Sequence, residues 1–167
     1  MSAPEYSGIR STIDISEWAD SLRKLPEAAL RAAKVQWYKV GAAHLARTKA
    51  NTPVGQYSNQ VDFWTRDGRH VQFTIKRVPI GGQLRVRWQQ TPVTLGADTL
   101  TTVVYNNVEY APFVEFGHRI RNKEGETIGF VPGRYMMTRS LQVTNDRDIP
   151  MAIDAILNDI RRAYGTT

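Results

Sequence analysis

Apolar positions recur along this chain with two different periods, and the points where the period changes mark the elements. From Pro26 to about Ala50, the small or apolar residues Leu30, Ala33, Trp37, Gly41 and Leu45 fall at steps of three and four, the spacing that lines one face of a helix. Arg31, Lys34, Lys39 and Arg47 fall largely elsewhere around it, so the stretch predicts a long amphipathic helix laid on a core. Pro26 suits a first helical turn, and Thr52, Pro53, Val54 and Gly55 end the helix. A shorter helix is expected upstream, from Ser16 as N-cap with Glu17 in the first turn to about Lys24, which makes residues 16–50 helical overall. Residues 1–12, with Ser2, Pro4, Ser7 and Gly8, have no clear period and read as a flexible arm.

Residues 55–70 sustain no period and read as an extended loop, although Val61, Phe63 and Trp64 need something to cover them. The period then becomes two. Val71, Phe73 and Ile75 alternate with polar residues, and so do Leu84, Val86 and Trp88, which predicts two half-buried strands. Pro79, Gly81 and Gly82 lie between them, so an antiparallel hairpin is the simplest connection. The β-branched run at 101–105 predicts a further strand, ended by Asn106 and Asn107. Residues 118–131 carry a Lys-Glu-Gly turn between extended flanks, an exposed second hairpin, and Pro132 and Gly133 lead into a short helix near Met136–Leu141. At the end, Ile149, Ile153, Ile156, Leu157, Ile160 and Tyr164 form one apolar stripe, with Asp148 as N-cap and Pro150 in the first turn, giving a helix over 148–164. The expected architecture is a single α+β domain over 1–167. Its mostly antiparallel sheet, with hairpins over 71–131, packs against a long N-terminal helix and a C-terminal helix, with extended loops.

The composition narrows the function classes. With 167 residues, 41% of them hydrophobic, the chain can bury roughly 70% of the surface it exposes when unfolded, so its core needs no metal or covalent staple. There is no cysteine, which excludes disulfides, thiol nucleophiles and zinc-cysteine or iron-sulfur sites. No apolar run approaches the ~18 residues of a membrane span, and the N-terminus has no signal-peptide apolar region, so no membrane association is expected. The net charge of +6 favours acidic neighbours but is too mild to define a dedicated DNA binder.

Catalytic motifs are missing. Neither a phosphate-binding glycine loop nor a G-x-S-x-G elbow is present, and His44, His70 and His118 are scattered without metal-ligand spacing. Glu115 and His118 lie three apart and could form an acid/base couple, but no nucleophile or orienting group accompanies them, so a structural pair is the simpler reading. A metal-dependent nuclease would have to draw on Asp62, Asp67 and Asp98, and a general nucleic-acid binder on the basic residues. Neither has a supporting motif. No enzyme activity, metal or cofactor is expected. Arg85 and Arg87 on one strand face could line a DNA path, and Arg119 and Arg121 share a face of the exposed hairpin; a solvated sheet face accounts for them equally well.

The segment Asn107–Ile120 contains Tyr110, Ala111, Val114, Glu115, Phe116 and Gly117 in the order Y-A-x-x-V-E-F-G. Upstream, Lys49, Thr52, Pro53 and Val54 end the long helix, and downstream come Pro132, Gly133, Arg134, Tyr135 and Met136. In this order the three blocks resemble the tail-completion or neck-component family of long-tailed bacteriophages. Gly55-Gln56-Tyr57-Ser58 departs from the family's usual helix ending. The resemblance implies a small α+β protein that assembles as a ring where head joins tail, without catalytic residues.

The resulting expectation is a structural, homo-oligomeric ring subunit, hexameric by preference, located in the virion after assembly in the host cytoplasm. Its partners would be copies of itself and adjacent neck, tail-terminator or tail-tube proteins, with genomic DNA nearby. Phe63, Trp64, Glu115, Phe116, His118, Arg119, Arg121, Arg134 and Tyr135 are the candidate assembly residues. Glu115 is expected to pair with Arg134 or with an arginine of the next subunit.

Overall fold

The computed structural model describes residues 8–13, 27–56, 60–65, 67–74, 76, 81–96 and 99–164. The helix expected from Ser16 to Lys24 lies outside them. The first described element, β1 (Ile9–Ile13), pairs antiparallel with β6 (Leu100–Asn106), from Ile9 opposite Asn106 to Ile13 opposite Thr102. This corrects the reading of residues 1–12 as an arm, at least from Ile9 onward. Ile9, Ser11 and Ile13 point inward, and the serine hides that alternation because its burial depends on a tertiary hydrogen bond.

β6 is the centre of the main sheet. On its other side it pairs with β4 (Trp88–Gln90) and, further along, with β5 (Thr94–Leu95), all antiparallel. Leu100, Thr102, Val104 and Asn106 turn inward at alternate positions, as a strand with one covered face requires. Over that face lies α1 (Glu27–Asn51), in the expected place and orientation: Ala33, Trp37 and Val40 are buried with Ile13 and Leu100 on one side and with Ala152 and Ile156 on the other. Gly41 marks a close crossing, since a Cβ there would come within 2.2 Å of Gln90 Nε2 and 2.9 Å of the Thr102 methyl group. A second cluster joins Ile9, Leu84, Trp88, Val104 and Ala111 to Met136 and Met137.

The expected 71–89 hairpin is replaced by two separate structures. Residues 60–74 form a ribbon of β2 (Gln60–Trp64) and β3 (His70–Thr74), with Trp64 opposite His70, so part of the stretch read as a loop is strand. Residues Gln83–Val86 form a single helical turn, α2, entered through Gly82 at φ 94°. Leu84 and Trp88 are buried while Val86 is 71% exposed. The apparent alternation is thus satisfied by an i, i+4 pair, a spacing the two periods share.

After β6 come α3 (Ala111–Phe116) and the expected hairpin of β7 (Gly117–Arg121) and β8 (Thr127–Pro132), with an irregularity in register at Ile120/Arg121. Helix α4 (Met136–Val143) runs without a break through a π-helical stretch, Thr144–Asp148, into α5 (Ile149–Tyr164). Asp148 is therefore not an N-cap. The wide turn has a local cause: Pro150 has no N–H to donate, and its ring would crowd the preceding turn of a regular α-helix. Ile149 instead donates to the carbonyl of Thr144, five residues back. Both expected helices exist, joined into one continuous helical run packed on α1.

Candidate assembly interface

The sequence block around Glu115 is built into the end of α4. Glu115 is completely buried. Its Oε2 accepts the N–H of Met137 at 3.0 Å, and its Oε1 accepts the N–H of Thr138 at 2.9 Å and the Thr138 hydroxyl at 2.7 Å. These amides belong to the first turn of α4, whose donors have no partner within the helix, so a carboxylate from α3 caps it and complements the helix dipole. The expected partnership with Arg134 or a neighbouring subunit is not what this geometry uses. Arg134 is exposed, and its backbone N–H donates to Val114 O at 2.8 Å; Tyr135, left-handed at φ 52°, donates its N–H to Glu115 O at 3.0 Å. The Y-A-x-x-V-E-F-G and P-G-R blocks are thus one structural unit that fastens α3 to α4 across the base of the β7–β8 hairpin.

What this unit pushes outward is apolar. Phe113, Phe116, Ile120, Ile128 and Phe130 are 43 to 65% exposed, with Tyr110 and Tyr135 beside them in the chain and also exposed. His118 is exposed and sits edge-on to Phe113, ring centroids 6.0 Å apart, whereas the buried Glu115 carboxylate is turned to the first turn of α4. Arg119 and Arg121 are exposed along β7. Trp64, 69% exposed, stacks on His70 at 4.6 Å on the β2–β3 ribbon, and the Phe63 side chain lies outside the described residues.

Arg85 does not lie on an open strand face. Its Nε and Nη2 donate to the carbonyl of Thr52 at 2.9 and 2.6 Å, closing the C-terminal end of α1, while Trp88 Nε1 donates to Thr52 Oγ1 at 2.8 Å. Arg87 follows α2 and is exposed. Of the acids considered for a nuclease, Asp62 bonds His70 and Gln72, Asp67 pairs with Arg69, and Asp98 is not among the described residues. Among those residues no group of three or more acids or histidines is placed to hold a metal, and no helix is long and apolar enough to cross a membrane.

A buried polar chain that sequence spacing did not reveal ties α1 to its neighbours. His44 Nε2 meets Ser11 Oγ at 2.8 Å and His44 Nδ1 meets Thr144 Oγ1 at 3.3 Å. Burial, with help from the nearby Arg47 cation and against a hydrogen bond to Ser140, lowers the pKa of His44 to about 4. Arg47 donates to Ser140 O at 3.2 Å and Thr144 Oγ1 at 2.9 Å and pairs with Asp148, which clamps the π-helical stretch to α1. Burial lowers its own pKa, as does the cationic Arg147.

Residues 16–117 match the model of a family described as "Bacteriophage HK97-gp10, putative tail-component". The chain belongs to that family. The match runs from the segment before α1 to Gly117 and so includes α1, the β2–β3 ribbon, α2, strands β4 to β6 and the whole of α3, while β1 lies before it. Membership makes the chain a bacteriophage tail component, a virion protein whose partners are other tail proteins. The hairpin, α4 and α5 lie beyond the match. No curated protein and no solved structure matches the chain.

Proposed function

We propose that this tail component is a neck or tail-completion subunit, one of several identical copies that close into a ring where the DNA-filled head meets the tail. The observation that carries this reading is the apolar surface of α3 and β7–β8. Five large apolar side chains, Phe113, Phe116, Ile120, Ile128 and Phe130, stand exposed on one small helix and a two-stranded ribbon. A ribbon of two strands is marginal in water unless something packs on it, and large apolar side chains exposed on elements this small mark a place where another protein sits. Phe116, His118, Arg119, Arg121 and Tyr135 belong to this surface, with Arg134 beside it, and Trp64 on the β2–β3 ribbon supplies a second contact. Glu115 acts indirectly, by holding α3 on α4.

A head-to-tail contact repeated around an axis closes into a ring, and the rotational symmetry of a tail tube favours six copies. Genomic DNA passes through the opening, and the ring meets neck, tail-terminator or tail-tube proteins on its faces. No bond is made or broken in this role.

The deciding experiment is the native mass of the purified protein, alone and with tail-tube subunits, alongside a variant carrying Phe113→Ser and Phe130→Ser. The expected result is a closed oligomer for the parent, formed alone or on its partner, and a folded monomer for the variant. A parent protein that stays monomeric in both conditions overturns the proposal.

A further inference from the structure

Three stretches carry the family resemblance, and several of their residues have a structural duty: Thr52 accepts from Trp88, Ala111 and Met136 are core, Glu115 caps α4, and Gly117 turns the chain into β7. The side chains of Val54, Tyr110 and Arg134 have no such duty. Each comes from a different stretch, and all three line one cavity of about 560 Å³. Residues 53–55, beyond the end of α1, and residues 81–84, at the start of α2, form one part of its lining; Tyr110, Val114 and Arg134 form the rest.

Backbone contacts fix both parts. A Cβ on Gly81 would come within 2.0 Å of Gly55 O, so the two loops touch main chain to main chain. Arg85 ties the same end of α1 to α2 through Thr52 O. In the other part, Val114 N–H donates to Tyr110 O at 3.2 Å and Arg134 N–H to Val114 O at 2.8 Å. A cavity that is already ordered in this way loses little freedom when it is filled.

The lining mixes apolar surface with polar groups that have no partner. Val54 and Tyr110 are 42% and 46% exposed, and Leu84 and Val114 add further apolar surface. The Arg134 guanidinium, the Tyr110 hydroxyl and the Gln83 amide make no hydrogen bond or ion pair among the described residues, and none of the described lining residues is acidic. Tyr110 and Val114 lie four residues apart and Phe113 and Phe116 three apart, so the cavity and the exposed phenylalanines use different faces of α3.

We propose that this cavity binds an acidic peptide segment of a different tail protein, with its carboxylate on Arg134 and an adjoining apolar side chain against Val54 and Val114. A guanidinium and a carboxylate meet in a two-bond fork, and a tyrosine hydroxyl and a glutamine amide both donate to carboxylate oxygens. The cavity lies within the range of about 300–1,000 Å³ typical of ligand sites, which suits a few residues of chain. Duplex DNA fits less well, because phosphate recognition gathers several cations and gains nothing from apolar walls. The proposal rests on membership of a tail-component family, whose partners are tail proteins, and not on the ring.

The test uses the whole chain, isotope-labelled for NMR, and two blocked peptides, acetyl-Leu-Glu-Leu-amide and its glutamine analogue. The acidic peptide is expected to move the side-chain N–H signals of Arg134 and Gln83 saturably, with a Kd on the order of 1 mM, and the analogue to bind at least tenfold more weakly. Arg134→Gln should weaken the acidic peptide tenfold or more with the rest of the spectrum unchanged, and Arg134→Lys should restore part of the loss. An acidic peptide that moves no signal of the lining, or that binds the Arg134→Gln chain equally well, overturns the proposal. Tighter binding there by inorganic phosphate or by a short DNA duplex also overturns it, as do signals that move with the protein's own concentration, which would give the cavity to a second copy. A parent that never forms an oligomer would overturn the ring and leave the cavity assignment standing.

Discussion

Glu115 and Thr138 are joined twice: one carboxylate oxygen accepts both the backbone N–H of Thr138, at 2.9 Å, and its hydroxyl, at 2.7 Å. The two residues flank the exposed β7–β8 hairpin, so the bond closes the base of that hairpin. Glu115→Ala would leave the buried Met137 amide unpaired, free the partly buried Thr138 from its acceptor and open a void, at a cost of about 2–4 kcal/mol. Glu115→Gln keeps one acceptor and the volume, and should lose about half as much. Urea unfolding at unchanged slope measures both; a Glu115→Ala chain as stable as the parent would remove the capping role.

His44 makes stability depend on pH. Its pKa in the folded chain is about 4, against 6.5 for the exposed imidazole, so below pH 6.5 the unfolded chain takes up a proton that the folded chain refuses. Stability from this group is therefore complete above pH 6.5 and is lost as pH falls towards 4, by about 3 kcal/mol in all. His44→Gln should flatten the dependence between pH 6.5 and 4. An unchanged slope in that variant would show that other groups set it.

The pairing of Arg47 with Asp148 holds the π-helical stretch against α1, and both side chains are largely buried. Asp148→Ala leaves a cation with no partner of opposite charge in that site and is expected to cost about 2–3 kcal/mol. Hydrogen exchange should report the loss locally, with faster exchange from Thr144 to Met151 and little change in β6. Uniform acceleration over the whole chain would argue against a local clamp.

Gly117 joins α3 to β7 at φ 84°, and a Cβ there would come within 2.3 Å of Val131 O. Both the backbone angle and the space exclude a side chain, so Gly117→Ala should cost more than about 2 kcal/mol. The same change at Gly125, where nothing lies within 4 Å of a Cβ although φ is 85°, should cost about 1 kcal/mol. Equal effects at the two glycines would mean that the backbone angle alone decides.

Trp64 is 69% exposed and touches His70. Trp64→Ser is expected to change stability by less than about 1 kcal/mol and yet to reduce assembly, because an exposed aromatic contributes chiefly when a partner covers it. Stability by urea unfolding and mass by light scattering separate the two effects, and an unaffected assembly would exclude Trp64 from the interface.

Two helices, the central strand and the exposed hairpin were legible in the residues themselves: an uninterrupted period from Leu30 to Leu45 for α1 and from Ile149 to Ile160 for α5, a β-branched run at 101–105 for β6, and a Lys-Glu-Gly turn for the hairpin. The motif around Glu115 was equally visible as a family resemblance, yet its role was not, since a carboxylate next to an exposed phenylalanine gives no sign of whether it faces water or a helix end. Burial decided that. Short elements failed for a related reason: Leu84 and Trp88 fit both a strand and a single turn, and the stretch around Ser11 showed no period because that serine is buried only by its bond to His44. Local spacing by itself determined which faces are apolar, because covalent geometry sets the period. Only the tertiary structure decided which polar groups lie inside, because a buried glutamate, histidine or arginine is tolerated solely where distant residues complete its hydrogen bonds.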